Sequence, residues 1–105
     1  MPPKIYVTSD GFKVRSGFRT TSLRWSDIVE IVGMQFSKLT YDEDFLILRT
    51  RDAAAVVGQL HRNFDLFEGS LKVECPNFPA DWRVKLQLAP FGDHVPLWER
   101  PAAGA

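Results

Sequence analysis

The chain has 105 residues, with thirteen Lys and Arg against thirteen Asp and Glu, 45% apolar residues, 12% aromatics and one cysteine, the composition of one soluble globular domain. A lone Cys75 can form neither an internal disulfide nor a cysteine-based zinc site, which points to a reduced, cytoplasmic setting. Zero net charge removes the usual footprint of a nucleic-acid binder, and no stretch approaches the roughly 18 to 20 apolar residues of a membrane span or the apolar region of a signal peptide.

Ile5 to Thr8 and Phe12 to Arg15 flank a turn at Ser9-Asp10-Gly11, where glycine tolerates the backbone of a tight hairpin. Phe12 and Val14 alternate with Lys13 and Arg15, so the second strand has one buried and one solvated face. Thr21 to Trp25 alternates again and reads as a third strand. After the turn-prone Ser26-Asp27 pair, the period-two pattern from Ile28 to Gly33 fits either a fourth strand or the third continued through a bulge. The acidic run Asp42-Glu43-Asp44 precedes Phe45 to Leu48, whose continuous apolar character predicts a central strand buried on both faces.

Residues 52–60 carry a possible Asp52 cap, but Gly58 costs about 1 kcal/mol inside a helix, and a hairpin return strand is the better reading. Asp65 and Glu68 have the spacing of a capping box, with Phe64, Phe67 and Leu71 at helical spacing until Pro76, which predicts a helix over 65–75. Residues 79–89 stay open: Trp82, Val84, Leu86 and Leu88 alternate as in a strand, whereas Pro79-Ala80-Asp81-Trp82 resembles a first helical turn. The Pro/Gly-rich segment 76–105 contains a short apolar Leu97-Trp98 and ends in a frayed tail.

Antiparallel strands followed by a helix, with Asp10-Gly11 in the first turn, Trp25-Ser26-Asp27-Ile28 after the third strand and a hairpin from Phe45 to Leu60, resemble the small bacterial pleckstrin-homology-like (PH-like) domains. The likeness covers roughly Ile5 to Cys75. The tail, with Phe78 to Trp82, Pro90-Phe91 and Leu97 to Arg100, is similar to that of uncharacterised bacterial proteins of this size. The resemblance implies an α+β fold, a bent antiparallel split barrel of about seven strands capped by one helix, with 1–105 as one domain. It also implies a binding scaffold, although a fold does not by itself establish function.

Lys4, Lys13 and Arg15, joined by Arg24, match the loose basic pattern with which some pleckstrin-homology domains hold inositol phosphates. A turn of about two residues is too short to wrap a headgroup, so a small-ligand or lipid-headgroup site on these four residues is the alternative reading. Residues 1–62 hold nine basic against seven acidic groups, an excess too small for a nucleic-acid groove. His61 with Asp65 and Glu68 offers a single histidine, and Asp65 is better explained as the helix cap, which leaves too few of the three or four ligands of a metal site; His94 beside Asp93 adds little. Cys75 lies at a helix carboxy terminus, where the dipole disfavours a thiolate, and no nucleophile–base spacing or phosphate loop occurs. No cofactor or metal is expected, and an enzyme built on His61 and Cys75 is the minority reading.

Trp82, Phe91, Trp98 and Arg100 are the candidate protein-contact residues, since Trp and Arg favour the centres of interfaces, though such aromatics also seal sheet ends. The sequence therefore reads as a non-enzymatic module that binds another protein or a second copy of itself. An exposed strand edge and the aromatic carboxy-terminal segment are its contact surfaces.

Overall fold

The computed structural model describes residues 3–37, 42–90 and 92–101. In chain order the elements are β1 (Lys4–Val7), β2 (Gly11–Ser16), β3 (Arg19–Arg24), a 3-10 turn (Trp25–Asp27), β4 (Glu30–Ser37), β5 (Asp42–Arg49), β6 (Ala54–Gly58), α1 (Phe64–Glu74), α2 (Trp82–Leu88) and β7 (Val95–Glu99). They form two antiparallel sheets, ordered β1-β2-β3 and β6-β5-β4-β7, which enclose an interior without closing into a barrel. The fold is the expected α+β split barrel, with two helices rather than one.

In the first sheet, Val7 pairs with Phe12, so four residues form the turn rather than the expected two. Thr8 closes it: its N–H and its hydroxyl both donate to the Gly11 carbonyl, at 2.8 and 3.1 Å, and the hydroxyl accepts the Gly11 N–H at 3.1 Å. Ser16 pairs with Arg19 across a two-residue turn in which Gly17 has φ of 63°, a conformation that costs glycine little. Alternation then sends Ile5, Phe12, Val14 and Leu23 into the interior.

In the second sheet β5 is the expected inner strand, but only one of its faces is fully buried. Leu46 and Leu48 are completely covered, whereas Phe45 and Ile47 are half-buried, because both helices place their buried residues on the inner side. Residues 54–58 are the return strand: the Thr50 hydroxyl accepts the Asp52 and Ala53 N–H groups at 3.2 and 3.0 Å, turning the chain before a helix can start.

Helix α1 begins one residue earlier than expected and without the Asp65 capping box. Asn63 precedes it with φ of 68°, and its side chain donates to the Ile5 carbonyl at 3.0 Å instead of capping. Asp65 lies within the first turn, where its charge suits the positive end of the helix dipole. Glu68 accepts the Trp82 indole N–H at 2.7 Å rather than reaching back to the helix start. Residues 82–88 are helix because Trp82 and Leu86, four apart, are the buried pair; Val84 and Leu88, which a strand would have buried with them, are exposed.

Phe12, Trp25 and Phe67 meet at the centre, with centroid separations of 5.1 Å (Phe12–Trp25), 4.9 Å (Phe12–Phe67) and 5.7 Å (Trp25–Phe67). Helix α2 docks on β4 over Gly33, where an added Cβ would stand 2.6 Å from a Leu86 methyl and 2.9 Å from a Leu97 methyl. Strand β7 pairs with β4 through a bulge opposite Ile31 and Val32. Because Gly33 sets this close approach, Gly33→Ala should destabilise the fold by about 1–3 kcal/mol through overpacking. A chemical-denaturation midpoint equal to that of the wild type would refute the packing account.

Candidate functional site

The pairs Lys4–Arg15, Tyr6–Lys13, Lys13–Ser22 and Gly11–Arg24 place Lys4, Lys13, Arg15 and Arg24 together on the outer face of the first sheet. Among the described residues the ion pairs are Glu30–Arg49 and Glu68–Arg83, so none of these four cations has an ion-pair partner there. Lys4 lies 5.1 Å over the Tyr6 ring, and it stands directly opposite Arg15, an arrangement of like charges that costs stability. Among the described residues, no cavity found here gathers all four. Lys13 and Arg24 line a depression of about 400 Å³ together with Asp10 and Asp27, whose carboxylates offset them. The four cations therefore form a spread array and not a cradle for one phosphate.

The same sheet ends in an open edge. The Trp25 N–H donates to the Asp10 carbonyl at 2.9 Å, continuing the β2–β3 ladder, so the odd-numbered amides of β3 point to β2. Thr20, Ser22 and Arg24 then direct their N–H and C=O groups outward, where no strand among the described residues pairs with them. On β6 the Gln59 N–H to Asp44 carbonyl bond sets the same alternation and turns the amides of Ala54, Val56 and Gly58 outward. The Gly58 amide alone is satisfied, donating to His61 Nδ1 at 3.3 Å. The other two terminal strands are protected differently. Main-chain bonds from Ile5 to Arg62 and from Arg62 to Pro3 cover β1, and Pro96 removes a donor from β7.

Strands β3 and β6 approach each other without pairing, and a cleft of about 380 Å³ opens beside them. Val14, Thr21, Phe45 and Val56 give it apolar walls, and Arg19 and His61 are its titratable groups. Val56 is half exposed there, and Phe18, at the tip of the β2–β3 turn, is fully exposed. Burial lowers the His61 pKa below its ordinary value, opposed by the nearby Glu43 carboxylate. The neutral ring is the one that can accept the Gly58 N–H. Glu43 is itself buried and lies 3.4 Å from the Leu60 N–H, and Asp44 accepts the Gln35 side-chain amide at 2.9 Å.

The carboxy-terminal candidates separate. Trp82 is fully buried with its N–H satisfied by Glu68, so it serves the interior and offers no surface to a partner. Arg100 is occupied internally: its guanidinium donates to the carbonyls of Ile28 and Trp25, each at 2.8 Å, while lying 5.3 Å over the Trp98 ring. Trp98 is half-buried and donates to the Pro76 carbonyl at 2.8 Å. Phe91 lies outside the described residues. Burial pushes the Cys75 thiol up to about 11, against the lowering influence of Arg100, so it stays protonated near neutrality. Among the described residues, the charged groups acting on Cys75 are Arg100 and Glu74 and the one acting on His61 is Glu43, so Cys75 and His61 do not act on each other.

Sequence reasoning grouped the four cations and expected an exposed strand edge, but it did not say which strand, nor did it place Arg19 and Val56 beside that edge or give His61 its edge-capping role. The run Thr20-Thr21-Ser22 between two arginines was the available signal, yet only the strand order reveals it as an edge. No helix among the described residues is long and apolar enough to cross a membrane. A family model described as bacterial PH domain matches residues 2–103. No curated protein and no solved structure matches the chain.

The His61 contact has a pH consequence. The folded pKa lies below the unfolded value of about 6.5, so the unfolded chain takes up the proton first as pH falls. Stability is whole above about pH 6.5 and declines as pH drops below it. Urea denaturation between about pH 7 and 5 should show that decline in the wild type and a flatter profile in His61→Gln. Identical profiles would remove His61 as the cause.

Proposed function

Because the chain belongs to the bacterial PH domain family, whose folds are generally non-enzymatic binding modules, we propose that it is a protein-interaction module receiving an extended segment of its partner on the open edge of β3. The observation that carries this reading is the row of outward main-chain groups at Thr20, Ser22 and Arg24 beside an apolar cleft. An added strand exchanges main-chain hydrogen bonds with such an edge, and the neighbouring pockets select its alternate side chains. The net gain per bond is only about 0.5–1.5 kcal/mol, so affinity also requires burial against Val14, Phe45 and Val56.

A second reading, a small anionic ligand or lipid headgroup held by Lys4, Lys13, Arg15 and Arg24, is favoured by their common face. It is weakened by the lack of a concave site and by the carboxylates of Asp10 and Asp27 beside Lys13 and Arg24.

Ser22→Pro separates strand addition from other modes. Its N–H points away from β2, so proline removes an edge donor while leaving the β2–β3 ladder intact, the one setting in which a strand tolerates it. Peptides selected from a displayed random library against the wild type should bind the folded Ser22→Pro protein at least about tenfold more weakly, a loss of about 1.4 kcal/mol. Selected peptides that bind both proteins equally would overturn the proposal.

A further inference from the structure

We infer that the segment received by β3 is an extended strand alternating acidic and apolar residues; the inference rests on the strand-addition reading and specifies its partner. A strand added to this edge continues the pleat of the first sheet, so its side chains alternate between the outer basic face and the inner apolar cleft.

On the outer face its neighbours are Thr20, Ser22 and Arg24. Thr20 and Ser22 are short, and directly behind them on β2 stand Arg15 and Lys13, whose long side chains can lie across a small neighbour to reach the incoming strand. Arg24 lies at the edge itself. No carboxylate occupies an outer position of β1, β2 or β3, and none of the cations has an ion-pair partner among the described residues, although Asp10 and Asp27 in the adjoining turns partly offset Lys13 and Arg24. Acidic side chains on the added strand would neutralise this field and relieve the Lys4–Arg15 repulsion; basic ones would add to it.

On its other face the added strand meets the cleft, where Val14 and Thr21 from the inner face of the first sheet, and Phe45 and Val56 from the face of the second sheet opposite Leu46 and Val57, favour apolar residues, with Arg19 and His61 also lining it. The two faces of one edge thus demand opposite chemistry at period two. A strand apolar on both sides would leave the cations unpaired, and one acidic on both sides would place carboxylates in the cleft.

The test uses three amidated heptapeptides: one alternating glutamate with valine, one alternating lysine with valine, and one with the composition of the first but its glutamates gathered at one end. Fluorescence anisotropy should show the alternating acidic peptide binding at least about tenfold tighter than either other, a difference of about 1.4 kcal/mol. That binding should weaken with added salt and be lost in Ser22→Pro. The double variant Lys13→Glu with Arg15→Glu, both exposed positions, should reverse the preference toward the lysine peptide.

Equal binding of the acidic and lysine peptides, still sensitive to Ser22→Pro, would overturn the charge pattern and leave strand addition standing. Acidic binding that survives Ser22→Pro, or no binding by any of the three peptides while phosphatidylglycerol vesicles bind, would overturn both.

Discussion

Phe67 of α1 packs against Phe12 of β2 and against Trp25 in the turn that leaves β3, and the rest of the molecule depends on that three-ring contact. It fastens the second half of the chain to the first through side chains alone. Main-chain bonds from Ile5 to Arg62 and from Arg62 to Pro3 align the start of α1 with β1, so the helix fills the space a closing strand would otherwise take. The two sheets consequently share an interior without sharing a ladder. Strands β3 and β6 are left near each other and unpaired, and the candidate site is a direct result of how the core is closed.

An open edge is a hazard as well as an opportunity, since it invites pairing between copies of the same chain. Here its two ends are treated differently. His61 caps the last outward amide of β6, and its depressed pKa keeps the ring in the neutral form that can accept it. On β3, Arg19 and Arg24 bracket the edge and Lys13 and Arg15 stand behind it, so two β3 edges brought together would juxtapose cations. The charges that discourage self-pairing are also the ones that the proposed acidic strand would meet. A chain with zero net charge hides this asymmetry, because the compensating carboxylates lie on other elements.

Much of the fold was legible in the sequence because it follows from local periodicity. Phe12, Val14 and Leu23 alternate cleanly, Phe67 and Leu71 have helical spacing, and Gly17 suits a tight turn. What failed depended on tertiary contacts. Asp65 and Glu68 look like a capping box, but Asn63 bonds to Ile5 and Glu68 bonds to Trp82, partners remote in sequence. The pattern from Trp82 to Leu88 suits strand or helix equally until docking on Gly33 selects the face. The site was half visible: the cations were identifiable, but their common face required the registers of two strand pairs. Trp82 and Arg100 show the opposite error, since residue types suited to an interface are spent here on internal hydrogen bonds.

The central claim is that the outer edge of β3 is unpaired in the free protein, and residue-resolved amide hydrogen exchange tests it most directly. The account predicts an alternation along one strand: slow exchange at Thr21 and Leu23, whose amides face β2, and fast exchange at Thr20, Ser22 and Arg24. Equal protection of both sets in the protein alone would mean that the edge is already occupied, by another copy or by the chain itself, and would contradict the account.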